Sequence, residues 1–161
     1  MDEILAILAQ NARVTAEDIA RMTGKDVKAV IKAIRKYEKD GAILGYKAVI
    51  NQDLVRDART FVRALIEVSV IPQKNVGFDA IAERIYSFDE VKSCYLVSGS
   101  YDLLLVIEGE SLQTVADFVA SRLSSMDHVR GTMTHFLLKK YKEDGQVLKR
   151  RKTSKRMNIS Y

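Results

Sequence analysis

"TAEDIARMTGKDVKAVIKAIRKYEKDG", residues 15–41, holds two helical patterns separated by a glycine. In the second, Val27, Val30, Ile34 and Tyr37 step by three, four and three, the spacing of an apolar helix face. Lys28, Lys32, Arg35 and Lys39 step by four, three and four, one residue out of phase. This places a basic face about 100° round the helix from the apolar one. In the first pattern Ile19, Ala20 and Met22 supply the inward residues, and Thr15, with an acid three residues on, predicts a capping box. Gly24 breaks the chain between the two, Asp26 can cap the second helix, and Gly41 stops it. Small Ala20 before the glycine and apolar Val30 after it suit a close crossing of two helices. Ile4, Leu5 and Leu8 give an earlier short helix its apolar face. Three helices with a tight turn before the last form a helix-turn-helix pattern. Periodicity alone also permits a plain three-helix bundle with a solvated lysine face; the placement of the turn favours the former.

Beyond the third helix, "ILGYKAVI" (43–50) reads as a short strand, and "NQDLVRDART" (51–60) as a polar linker without periodicity. A different rhythm follows. "FVRALIEVSVI" (61–71) is strand-like and ends at the only proline, Pro72; "VGFDAIAERIYS" (76–87) is an amphipathic helix. "VKSCYLVSG" (91–99) and "YDLLLVIEG" (101–109) are strands joined at "SGSYD", "SLQTVADFVASRLSSM" (111–126) is a helix with a capping serine, and "VRGTMTHFLLKKY" (129–141) is the last strand. The order is βαββαβ, the ferredoxin-like unit, in which both helices cover one face of an antiparallel sheet. If Leu103, Leu105 and Ile107 face the helices, Asp102, Leu104 and Val106 face away, and Thr132, Thr134, Phe136 and Leu138 form the matching phase of the last strand. A largely apolar second face predicts a partner surface, and hence an oligomer formed through the sheet. The expected fold class is α+β, with domains at 1–50 and 61–141, a linker at 51–60 and a basic tail at 142–161.

The net charge of +5 on 161 residues is unevenly distributed. Residues 1–51 carry nine basic and seven acidic side chains, residues 52–138 eight and twelve, and residues 139–161 nine and two. A polyanionic partner would therefore touch the two ends of the chain and not its middle. No run of about 18 apolar residues exists, and Met1 leads straight into Asp2 and Glu3, which argues against a membrane span and a secretory signal. The single cysteine, Cys94, excludes an intramolecular disulfide and fits a reducing cytoplasm; in a strand-like run it reads as a small buried filler.

A basic helix-turn-helix, a short connector and a βαββαβ domain together resemble the leucine-responsive regulatory protein/AsnC (Lrp/AsnC) family over roughly residues 2–141. "TAEDIARMTGKDVKAVIKAIRKYEKDGAILGYKAVIN" is similar to that family's winged DNA-binding segment, "VSGSYDLLLVIEG" to its turn motif, and "VRGTMTHFLL" to its closing strand. The resemblance implies a dimeric transcription factor that assembles into higher even-numbered homo-oligomers, binds double-stranded DNA and takes a small effector, commonly an amino acid, between its sheet domains. Lys25, at a position where an apolar residue often follows the turn, and the long basic end "KRRKTSKRMNISY" depart from the pattern. The recognition helix also has few hydrogen-bonding side chains other than Lys and Arg, which leaves the operator sequence open.

With the apolar stripe packed inward, Lys28, Lys32, Arg35 and Lys36, joined by Lys25, can line the major groove and its flanking phosphates, and Ala29 and Ile31 can approach thymine methyl groups. For the effector, the candidates are Gly99, Ser100, Tyr101, Asp102, Leu104, Thr132, Met133 and Thr134. If Asp102 shares the outward face with Thr132 and Thr134, these are polar groups in an otherwise apolar subunit interface; alternatively Asp102 caps its own hairpin and the threonines satisfy one another. On the family likeness, a ligand carboxylate would meet backbone N–H groups near Gly99 and Ser100, and its amino group Asp102. No catalytic residue, metal site or cofactor is expected: His128 and His135 lack carboxylate or cysteine neighbours at ligand spacing, and "SGSYD" leads into a strand and not a helix N-terminus. The acidic middle argues against an RNA-binding sheet. An effector-binding sensor that acts through a protein partner is the remaining alternative.

Overall fold

The computed structural model describes residues 2–55, 61–71 and 77–148. The chain separates into two compact units, Met1–Ile50 and Asn51–Tyr161. Among the described residues no helix is long and apolar enough to cross a membrane.

The first unit is three helices, α1 (Glu3–Gln10), α2 (Ala16–Thr23) and α3 (Val27–Lys39). Each begins where a side-chain oxygen accepts an otherwise unpaired backbone N–H. Asp2 Oδ1 accepts from Ile4 at 2.8 Å, Thr15 Oγ1 from Asp18 at 3.1 Å and Asp26 Oδ2 from Ala29 at 3.2 Å. Gly24, at φ 68°, ends α2 in the left-handed conformation and turns the chain into α3. Ile4, Ile19, Ala20 and Val30 form the buried centre, with Ile7, Leu8, Val27, Ile34 and Tyr37 packed against it. Two expected inward residues lie elsewhere. Met22 is 66% exposed, because Ile19 and Ala20 centre the buried arc and Met22 falls beside it. On α1 the residues packed on this centre are Ile4, Ile7 and Leu8, and Leu5, one position round the helix from Ile4, is half-buried outside that cluster.

Residues 43–50 join no ladder, so the strand read in "ILGYKAVI" is not formed. A strand needs a partner edge, and none is offered to this segment among the described residues; Leu44 and Ile50 stay exposed. Of the linker expected at 51–60, Gln52–Leu54 make one 3₁₀ turn, and residues 56–60 lie outside the described residues.

The second unit runs β1 (Val62–Val70), α4 (Asp79–Tyr86), β2 (Val91–Leu96), β3 (Leu103–Gly109), α5 (Leu112–Phe118) continued by a π-helical turn (Val119–Leu123), and β4 (Val129–Phe136). Pro72 and Val76 lie outside the described residues. The four strands form one antiparallel sheet in the order β2-β3-β1-β4. Alternation along β1 sends Ala64, Ile66, Val68 and Val70 to one face, and alternation along β3 sends Leu103, Leu105 and Ile107 there too. Ile81 and Ile85 of α4, Val115 and Phe118 of α5, and Leu123 cover that face and complete the core. Gly109 ends β3 where α5 passes closest: a Cβ there would lie 2.9 Å from Val115 Cγ2. Cys94 is half-buried against this core, and burial pushes its thiol pKa up, the behaviour of a filler and not of a nucleophile.

The chain after β4 is ordered further than the expected basic tail allows. A hairpin, β5 (Lys142–Glu143) and β6 (Gln146–Val147), turns at Gly145, and residues 149–161 lie outside the described residues. Arg63 explains the order: its guanidinium joins Glu108 of β3 and Glu143 of the hairpin, and Lys140 Nζ adds a 2.6 Å contact to Glu143.

Candidate DNA and effector sites

On α3 the buried side is Val30, flanked by Val27, Ile34 and Tyr37, and Lys28, Ala29, Lys32, Arg35, Lys36 and Lys39 are exposed. Lys28, Ile31, Lys32 and Arg35 together line a shallow surface groove of about 290 Å³. Two acids of this segment are engaged elsewhere. Asp26 caps the helix, and Glu38 accepts the Tyr46 hydroxyl at 2.9 Å, which ties the following segment back to α3. Ile43 N–H donates to the Tyr37 carbonyl at 3.0 Å, closing the helix C-terminus. Lys25 stands apart from the other cations: its ammonium lies 3.4 Å from Glu3 Oε2 on α1. That pair is solvent-exposed and contributes little stability. Asp18, which accepts from the Thr15 hydroxyl and pairs with Arg21, has its pKa lowered, first by Thr15.

In the second unit the register decides which candidates meet. Val68 faces Thr132, Ile66 faces Thr134 and Ala64 faces Phe136 across β1–β4, so those three β4 residues lie on the helix-covered side. Thr132 Oγ1 is 3.3 Å from Ser124 Oγ, at the end of the π-helical turn. The matching phase expected for β4 is thus reversed: Gly131, Met133 and His135 share the open face with Leu104 and Val106, and Thr132 and Thr134 do not. Leu138 lies beyond the end of β4. Period-two alternation gives two phases per strand, and only pairing with a neighbour tells which phase points where.

Asp102 immediately precedes β3 and acts as a clasp. Its N–H donates to the Val68 carbonyl at 3.1 Å, its carbonyl accepts from Val97 at 2.9 Å, and Oδ2 accepts from the Val70 N–H at 2.8 Å. It therefore secures the end of β1, a role between the two alternatives read from the sequence. Gly99 and Ser100 lie in the bend between β2 and β3, with Tyr101 half-buried beside them. Gly99 has no positive φ, and a Cβ on it would meet nothing within 4 Å, so the bend does not require glycine there.

The open face carries Tyr95, Leu104, Val106, Leu65 and Met133 on adjoining strands. Tyr95 and Met133 are more than half exposed. Glu67 sits among them on β1, with its Oε1 3.1 Å from His135 Nε2. That pair was missed in the sequence because its members are 68 residues apart and meet only through the β1–β4 register.

Comparison with known proteins agrees with both halves of this geometry. Residues 3–43 match the family model of a winged helix-turn-helix DNA-binding domain, and residues 63–147 that of the Lrp/AsnC ligand binding domain. The chain is 49% identical over 158 residues to the uncharacterized HTH-type transcriptional regulator YugG of Bacillus subtilis, covering 98% of this chain and 95% of that protein. It is similar to the crystal structure of the Mycobacterium tuberculosis leucine response regulatory protein, with 26% identity and a TM-score of 0.70 over 91% of this chain and 96% of that one. The feast or famine regulatory protein of the same organism, crystallised with L-methionine, is 27% identical with a TM-score of 0.66 over 91% and 95% of the two chains. With a helix-turn-helix unit presenting a basic helix and a ligand-binding unit built on a four-stranded sheet, the chain is a transcriptional regulator, not an enzyme, and belongs to the Lrp/AsnC family.

Proposed function

We propose that this regulator binds double-stranded DNA sequence-specifically through α3, and that an amino acid held between subunits of its second unit modulates the binding. The observation that carries the DNA half is the exposed row Lys28, Lys32, Arg35 and Lys36, whose nearby carboxylates Asp26 and Glu38 are already engaged. A row of lysines and arginine on a recognition helix neutralises phosphates and reaches base edges in one placement.

The effector half is supported by the L-methionine found in the M. tuberculosis relative and by the bend at Gly99–Asp102 beside the open sheet face. In this reading backbone N–H groups near Gly99 and Ser100 take the ligand carboxylate, Asp102 takes its amino group, and Tyr101, Leu104 and Met133 shape the side-chain pocket. Thr132 and Thr134 have no part in it, being on the other side of the sheet. Pairing of two open faces into a homodimer, and of dimers into larger even-numbered assemblies, brings the site between subunits.

The test is a gel-shift titration of the full chain against promoter fragments, repeated with each of the twenty amino acids. Salt-sensitive binding whose midpoint moves with one or a few amino acids is the expected result. Binding that no amino acid moves would remove the effector half. Binding to no DNA would leave action through a protein partner.

A further inference from the structure

We propose that the side chains of α3 that reach bases lie over guanine, with thymine beside it, and not over their partners cytosine and adenine; this rests on the DNA-binding reading above and adds the class of sequence recognised. The basis is the donor and acceptor inventory of the helix. Between Val27 and Lys39 there is no Ser, Thr, Asn, Gln, Asp or His. Lys28, Lys32, Arg35, Lys36 and Lys39 donate hydrogen bonds and accept none. Tyr37 packs against the core, and Glu38 lies in the last turn, with its Oε1 taken by the Tyr46 hydroxyl. Asp26 caps the first turn and Asp40 lies past the last. Off the helix, Glu17 lines a separate depression beside α2 with Arg21 and Lys25.

In the major groove guanine presents two acceptors, N7 and O6, and thymine presents one acceptor and a methyl group. Every base pair also carries one amino donor, from the cytosine beside guanine or the adenine beside thymine, so a donor-only helix favours the placement that sets its side chains over guanine N7 and O6 or thymine O4 and disfavours the one that sets them over the amino group, which would there lose its water without gaining an acceptor. Ile31 fits the same pattern. It lies in the groove with Lys28, Lys32 and Arg35, an apolar side chain set among donors, where a thymine methyl completes the contact. The first half of a recognition helix contacts bases, which puts Lys28, Ile31 and Lys32 over base edges with the flanking phosphates within reach of the two ammonium groups, lets the longer Arg35 reach a guanine, and leaves Lys36 and Lys39 to phosphates alone.

Selection of bound duplexes from a random pool by the full chain tests this, followed by analogue substitution in the selected site. Enrichment of G and T on the strand facing α3 is expected. Replacing each enriched guanine by 7-deazaguanine should weaken binding by roughly ten- to a hundredfold. Uracil in place of thymine should weaken it in wild type but not in Ile31→Ala. Selected sites sensitive to 7-deazaadenine and indifferent to 7-deazaguanine would overturn the inference while leaving DNA binding intact. A pool that yields no sequence above non-specific binding would overturn the specific DNA-binding reading itself, and this inference with it.

Discussion

Asp102 illustrates how far a single residue can be read before its neighbours are known. Its place after a bend and before an apolar strand marked it as a polar group with a task, but the partner, the Val70 N–H, lies 32 residues away across a strand pairing. Two substitutions separate its structural role from the ligand role proposed for it. Asp102→Ala removes the acceptor and should lower stability by about 1 kcal/mol, a typical net hydrogen-bond contribution. Asp102→Asn keeps an oxygen for Val70 but removes the charge. It should retain the wild-type Tm in thermal unfolding and bind an amino acid on the order of tenfold more weakly or worse in calorimetry. Equal loss of stability in both variants would assign Asp102 to the fold alone. Gly109 is a second residue whose demand was invisible in sequence, since it comes from Val115 Cγ2 on the following helix. Gly109→Ala should cost about 1–3 kcal/mol by overpacking, measured by denaturant unfolding.

At the level of elements, the helices of the first unit were legible because caps, glycines and apolar spacing act within one or two turns. Thr15, Asp26 and Ser111 each cap the helix their positions predicted. Features set by distant contacts were not legible. The phase of β4 depends on its register against β1, and Thr132, Thr134 and Phe136 turned to the helix side. The hairpin after β4 has two residues per strand, too short for any periodicity, and its anchor, Arg63, lies 80 residues from Glu143. That anchor makes the hairpin acid-sensitive. Lys140, first, and Arg63 lower the Glu143 pKa from its usual 4.5. The stabilisation is therefore complete above that value and is lost as pH falls through the depressed one. Hydrogen exchange at the Leu148 amide, which donates to the Tyr141 carbonyl, should accelerate relative to core amides as pH drops below about 4.5. Glu143→Gln should produce the same relative loss of protection at neutral pH.

For the whole molecule, the two-unit plan and the ferredoxin-like order were readable because charge and periodicity change together near residues 51–61. The open sheet face is the surface proposed above for assembly. Leu65, Leu104, Val106, Tyr95 and Met133 meet there around Glu67 and His135. If two such faces pack together, Leu104→Arg buries an unpaired charge at the junction, a cost of several kcal/mol. Sedimentation should find the wild-type chain dimeric or larger and this variant monomeric; a monomeric wild type would reject the interface. An arginine at Phe136, on the other side of the sheet, should leave assembly unchanged.

The central claim is that the exposed lysines of α3 hold DNA. Its most direct test is the salt dependence of operator affinity for wild type and for the double variant Lys28→Ala/Lys32→Ala, with helix content and Tm as controls for folding. Each lysine that neutralises a phosphate contributes about one unit to the slope of log affinity against log salt. Weaker binding and a slope shallower by about 1 to 2 are expected, depending on how many of the two lysines touch phosphates. Unchanged affinity and slope in a folded double variant would contradict the claim and place the DNA contact elsewhere on the chain.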